Sequence, residues 1–197
     1  MTTASPPLLP LFRSDAQARL LTELYLRPPS QRTLSELGRA LGVSHATVSR
    51  EADRLEDAGL IASERVGKQR LLRSNPQSRY YPALQELLLR AFGPLPLLEQ
   101  ALLGQPGIEL AFIYGSWAAR YSGEPGKPPN DIDLLLIGTP DRRLLRTLSR
   151  EINDRLGLEL NPTVVPLDAW RGKANAFLRS LRGRPMVELN VVGHGPG

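Results

Sequence analysis

Two aspartates one residue apart, Asp131 and Asp133, open an apolar run from Ile132 to Ile137 that reads as a strand. Residues two apart on a strand point to the same face, so the two carboxylates project side by side. Upstream, Ile108–Tyr114 is rich in β-branched and aromatic residues and free of Gly and Pro. It ends in Gly115-Ser116, a tight turn that opens a short helix through Arg120. Carboxylate oxygens are hard donors suited to a divalent cation such as Mg2+. The turn suits phosphate: Gly115 lets backbone come close, Ser116 offers N–H and hydroxyl donors, and a helix dipole favours negative charge. Each motif alone is common at turns and strand entrances. Together, each on its own strand, they predict a site for metal and phosphate.

A second set of residues suits a different polyanion. Ser44, His45, Thr47, Ser49 and Arg50 are short polar or basic side chains at the start of one predicted helix, matched to base edges and nearby phosphates. Arg65, Lys68, Arg70 and Arg73 flank the turn at Gly67, where they would grip a duplex backbone. Glu51, Asp53, Glu56 and Asp57 crowd the C-terminal half of that helix, which is expected to face away from DNA. Residues 1–92 carry 13 Lys+Arg against 9 Asp+Glu, and residues 93–197 carry 12 against 11, so the basic excess sits with these residues.

The elements that must position both sets follow from periodicity. Helices are predicted over Ser14–Leu26, stopped by Pro28-Pro29; from Thr33 to Gly42, with a Thr33/Glu36 capping box; and from Ser44 to Gly59. Leu60–Val66 and Gln69–Ser74 read as a hairpin, and Arg79–Phe92 as another helix. Two helices joined by a Gly-containing turn and followed by a hairpin describe a winged helix-turn-helix. Beyond it strands and helices alternate: Ile108–Tyr114, Ser116–Tyr121, Ile132–Ile137, Asp141–Leu156, Leu158–Val165, a helix near 173–181, and Met186–Val192. The expected class is α/β (α+β) with a mixed sheet in the second domain. The expected division is a flexible tail at 1–10, a winged-helix domain at 11–92, a linker with a short helix at 93–107, and an α/β domain at 108–197. The Gly/Pro-rich segment Ser122–Asn130 is expected to be a mobile loop beside the candidate site.

At 197 residues, 41% hydrophobic and 23% charged, the chain reads as an ordinary globular protein. The absence of Cys excludes disulfides, thiol catalysis and thiolate zinc sites, and agrees with a cytoplasmic location. No apolar run reaches membrane-spanning length, so no membrane partner is expected.

The segment LSELGRALGVSHATVSREADRLEDAGLIASERVGKQRLL, residues 34–72, resembles winged-helix transcriptional regulators of the arsenic-repressor and multiple-antibiotic-resistance types. That resemblance implies double-stranded DNA as partner, with the N-terminal end of the third helix in the major groove. It leaves open a homodimer through Ser14–Leu26 or Arg79–Phe92. Tyr114–Arg120 (YGSWAAR) and Asn130–Leu135 (NDIDLL) resemble the polymerase-β-like nucleotidyltransferase superfamily over nearly all of 108–192. The resemblance implies that Gly115, Ser116 and Arg120 bind the phosphates of a nucleoside triphosphate and that Asp131 and Asp133 bind two magnesium ions. Such ions would stabilise the attacking and leaving oxygens of an in-line displacement. The superfamily's third acid aligns with Asn161, an amide that cannot ionise or act as a base. Glu159, two residues earlier on the same face, is either its substitute or a solvent-facing strand residue. Over its whole length, including Asn161-Pro162-Thr163, the chain resembles a prokaryotic group of winged-helix proteins fused to such a domain. Three functions fit: a regulator whose second domain senses nucleotide, an active transferase modifying a protein, RNA or small molecule, or one member of a toxin–antitoxin pair.

Overall fold

Ser14 opens the first helix as a cap, its hydroxyl accepting from the Gln17 N–H at 3.2 Å. In the computed structural model, residues 11–27, 31–124, 126, 128–172 and 176–191 are described. The tail expected at 1–10, the Pro28-Pro29 stop and positions Pro125 and Lys127 of the expected loop lie outside them. The chain divides into two units, Met1–Phe92 and Gly93–Gly197.

In the first unit, α1 (Asp15–Leu26) is followed by β1 (Gln31–Thr33), α2 (Leu34–Leu41), α3 (His45–Asp57), β2 (Ile61–Val66), β3 (Gln69–Ser74) and α4 (Tyr81–Phe92). The Thr33/Glu36 capping box forms in both directions, and Gly42 ends α2 in the left-handed region at φ 67°. The hairpin pairs Val66 with Gln69 and Ile61 with Ser74, which puts Gly67-Lys68 at its tip. The short β1 was not expected from sequence. It pairs antiparallel with β3, giving a three-stranded sheet in the order β1-β3-β2. Leu20, Leu24, Tyr25, Leu37, Val48, Leu55, Ile61 and Leu72 fill the core. The Tyr25 hydroxyl donates to Leu60 O at 2.5 Å, and the ring stacks on Tyr81 at 5.1 Å.

The second unit begins with α5 (Pro94–Leu102), so most of the expected linker is a helix of that unit, with Gly93 at its N-cap. Then come β4 (Ile108–Tyr114), α6 (Gly115–Tyr121), β5 (Asp131–Gly138), α7 (Arg142–Leu156), β6 (Glu159–Val165), α8 (Leu167–Arg171), α9 (Ala176–Arg182) and β7 (Val187–Glu188). The sheet order is β6-β5-β4-β7, with β5 and β6 parallel and β4 antiparallel to both its neighbours, a mixed sheet. The last strand is shorter than the sequence predicts, although Leu189 N still donates to Ala111 O at 2.9 Å. Leu135, Ile137, Val165, Leu178 and Leu181 cluster with Phe112, Tyr114 and Trp170 on the sheet face that also bears the aspartates. Alternation along β5 makes that coincidence necessary: Asp131, Asp133, Leu135 and Ile137 share one side.

Candidate functional site

The start of α3 is built by its cap. Ser44 Oγ accepts from the Thr47 N–H at 3.1 Å and lies 2.9 Å from Thr47 Oγ1. Two of the five predicted base-reading side chains thus have polar atoms engaged locally. His45 and Arg50 are exposed and Ser49 is half-buried on the same end of the helix. Val48, Ala52 and Leu55 anchor the opposite side. On the wing, Arg65 and Lys68 are exposed around Gly67, as is Arg73 further along β3.

Arg70 is placed differently from its three neighbours. It is only 19% exposed and forms ion pairs at 2.5 Å with Asp53 and with Glu56 of α3. Glu56 also accepts from the Ser63 hydroxyl at 2.7 Å and from the Ser63 N–H at 2.9 Å. The Ser63 hydroxyl, followed by the Arg70 guanidinium, holds the Glu56 carboxyl below its ordinary value against the opposing effect of burial. Arg70 therefore ties the wing to α3, whereas Arg65, Lys68 and Arg73 stay exposed. The acids of α3 are handled the same way: buried Glu51 pairs with Arg13 and with Arg54, the latter at 3.0 Å. The Arg13–Glu51 contact spans 38 residues, and no local pattern announces it.

In the second unit Tyr114, Asp133 and Asn161 lie in one row across three strands, with Asp131 and Glu159 in the next. Of the predicted set, Gly115 and Asp133 are brought against each other. Gly115 sits at φ 68° directly beneath the Asp133 carboxylate, so close that a Cβ there would collide with Oδ2. Asn161 Nδ2 donates to Asp131 Oδ2 at 2.8 Å. Burial raises the Asp133 carboxyl above its ordinary value, the Asp131 charge adds to that, and the Asn161 amide opposes it. Glu159 is exposed on the edge strand, in register with Asp131. Ser116 is exposed in the first turn of α6, and no side chain caps that helix. Arg120 has Nε and Nη1 buried with no hydrogen-bond partner among the described residues, its guanidinium pressed against Gly126. Behind the row, the Tyr114 hydroxyl and Thr163 Oγ1 are 3.1 Å apart, a contact across two strands that the sequence did not signal. No group of three or more His, Asp or Glu gathers to hold a metal among the described residues. The donor set is two carboxylates and an amide.

No helix among the described residues is long and apolar enough to cross a membrane. Residues 13–70 match the model of the MarR family, and the winged helix is of that type. No curated protein matches the chain. Among solved structures, a mutant MarR from E. coli in complex with operator DNA is 23% identical, over 47% of this chain and 64% of that one, with a TM-score of 0.37. HlyU from Vibrio cholerae is 22% identical over 43% of this chain and 84% of that one, with a TM-score of 0.36. Lactococcus lactis ZitR in complex with DNA is 16% identical over 52% and 66%, with a TM-score of 0.37. The chain spans less than two thirds of the operator-bound MarR chain.

Proposed function

We propose that this chain is a DNA-binding transcriptional regulator whose second unit binds a nucleoside triphosphate with magnesium and acts as a sensor. The observation that carries the first part is a MarR-type winged helix that exposes His45 and Arg50 at the head of α3 and Arg65 and Lys68 at the tip of the wing. Groove-reading side chains beside backbone-gripping cations are what duplex recognition requires. Fluorescence anisotropy on duplexes from the flanking genomic DNA tests it. Arg65→Ala with Lys68→Ala is expected to weaken binding and to make log K against log salt shallower by about 2. A native protein with no duplex affinity at low salt would refute the proposal.

The second part rests on the meeting of Gly115, Asp131 and Asp133. Two hard carboxylates fit one divalent cation, which would neutralise phosphate charge there. Arg120, two of whose buried donors have no partner among the described residues, adds a cation suited to phosphate. The Asn161 amide, committed to Asp131, supplies neither a third anionic ligand nor a base. That favours binding over transfer. Active transfer of a nucleoside monophosphate to a protein, RNA or small molecule is the second reading, supported by the closeness of Gly115 to the Asp133 carboxylate. Labelled nucleoside triphosphates incubated with magnesium and lysate separate the two. Label transferred by the native chain and not by Asp131→Ala/Asp133→Ala establishes an enzyme. Nucleotide-dependent DNA binding without transfer establishes a sensor.

A further inference from the structure

The second unit is nearly neutral overall, yet its longest helix concentrates arginine on one side. Along α7, Leu148, Ile152 and Leu156 are buried, and the helix packs on β6 and α5. Arg142, Arg146 and Arg150 recur every four residues on the opposite side, with Arg143 beside them, and all four are exposed. Four residues advance a helix by about 6 Å, so the three in line span about 12 Å. None of the four makes an ion pair among the described residues, although Glu151 and Asp154 lie on the same helix; Glu151 pairs with Arg155 instead. Two of the arginines occupy the first turn, where the helix dipole disfavours cations, and the one acid at that end, the N-cap Asp141, accepts from the Arg143 N–H at 2.8 Å. A row of exposed arginines with no ion pair among the described residues concentrates positive charge that an external anion would neutralise.

We propose that this α7 arginine row is a second DNA-contacting surface, which grips the phosphate backbone of duplex DNA without reading bases. Guanidinium groups match phosphate with paired N–H donors, and duplex phosphates recur about every 3.4 Å per strand along the axis, within reach of each side chain. The side chains that neighbour the arginines include the small polar Thr147, Ser149 and Asn153, and α7 carries no aromatic ring for stacking single-stranded bases. The apolar side of α7 is already in the core, so the helix has no apolar face for a membrane surface. The proposal rests on the duplex-binding reading given above.

The test uses the full chain and a random 30-base-pair duplex, an arbitrary length of roughly three helical turns. Native protein, Arg142→Gln/Arg146→Gln/Arg150→Gln and Arg65→Ala/Lys68→Ala are titrated between about 50 and 200 mM salt. Three lost phosphate contacts are expected to make the salt slope shallower by about 2.7, so the native affinity falls about 40-fold more than the variant's over that range. The triple variant is expected to melt no lower than native, because the three exposed side chains make no ion pair among the described residues. A native-like slope for the triple variant, with a shallower one for the wing variant, overturns the α7 surface and leaves the regulator reading standing. The reverse pattern removes the winged helix from DNA and keeps the α7 surface. Absence of any duplex binding overturns both. Preference for single-stranded RNA that depends on the three arginines overturns duplex DNA as the occupant.

Discussion

Around α3 three of the four carboxylates form ion pairs, whereas at the head of β5 two carboxylates share one face of the sheet. Glu51, Asp53 and Glu56 meet Arg13, Arg54 and Arg70 in ion pairs that join helix to wing and to the segment before α1. Among the described residues, Asp131 and Asp133 meet a neutral amide and no cation, and two buried donors of Arg120 in the same unit have no partner. Satisfied charge stiffens a surface whose ligand is read by its exposed neighbours. Unsatisfied charge is costly to a fold, and it is on this that the proposed nucleotide site rests.

The comparison breaks most sharply at Gly115. Substitution by Ala forces a Cβ into the left-handed region, costing roughly 1–2 kcal/mol, and drives it into the Asp133 carboxylate. Loss of magnesium-dependent nucleotide binding by at least about tenfold is expected in calorimetry, with duplex binding by the first unit retained. If nucleotide binding survives, the strained turn is a fold device and not part of the site. Arg70→Ala is the matching break in the first unit. It leaves Asp53 and Glu56 without their cation and should cost roughly 1–2 kcal/mol, allowing for partial exposure. On a domain of this size that lowers the melting midpoint by about 4–8 °C per kcal/mol. Duplex affinity should fall with it although Arg70 touches no phosphate, and Arg70→Lys should restore it only in part, since the fork to two carboxylates is lost. Full affinity in Arg70→Ala would mean that wing position does not matter.

What could be read in advance divides along the same line. The capping box at Thr33, the left-handed Gly42 and the alternation along β5 are local, and each appeared where the pattern put it. The pairing of Gly115 with Asp133 was inferable because each motif ends or begins a strand, and adjacent antiparallel strands bring such ends together. The fate of Arg70 was not: as a wing cation it looks like Arg65 and Lys68, and only its ion pairs with Asp53 and Glu56 of α3 distinguish it. Residue 65 faces 70 across the hairpin, but α3 covers one of them and not the other, which no hairpin pattern states. β1 escaped detection because three residues after a Pro-Pro stop carry no period, and the strand exists only through β3. The Asn161–Asp131 bond needed the parallel register of β5 and β6, which a crossover through α7 sets at a distance.

Smaller effects sharpen the contrast. Asp133→Asn removes one of two like charges from a half-buried position, so in chelator the second unit should gain on the order of 1 kcal/mol while losing its magnesium response. An unchanged midpoint would show that the two carboxylates already avoid each other without cost. In the first unit acid should act in the opposite sense. Glu56 is held below its ordinary 4.5, chiefly by the Ser63 hydroxyl, so the folded state binds its proton less readily than the unfolded chain does. Its stabilisation is therefore complete above about pH 4.5 and is lost as pH falls through the depressed folded value. Melting of the first unit, followed by the Tyr25 and Tyr81 signal, should be level above that point and decline below it. Glu56→Gln should melt lower at neutral pH and decline less steeply in acid. A parallel decline in both proteins would assign the acid sensitivity to other carboxylates of α3 and reduce the Ser63–Glu56–Arg70 bridge to a geometric contact without energetic weight.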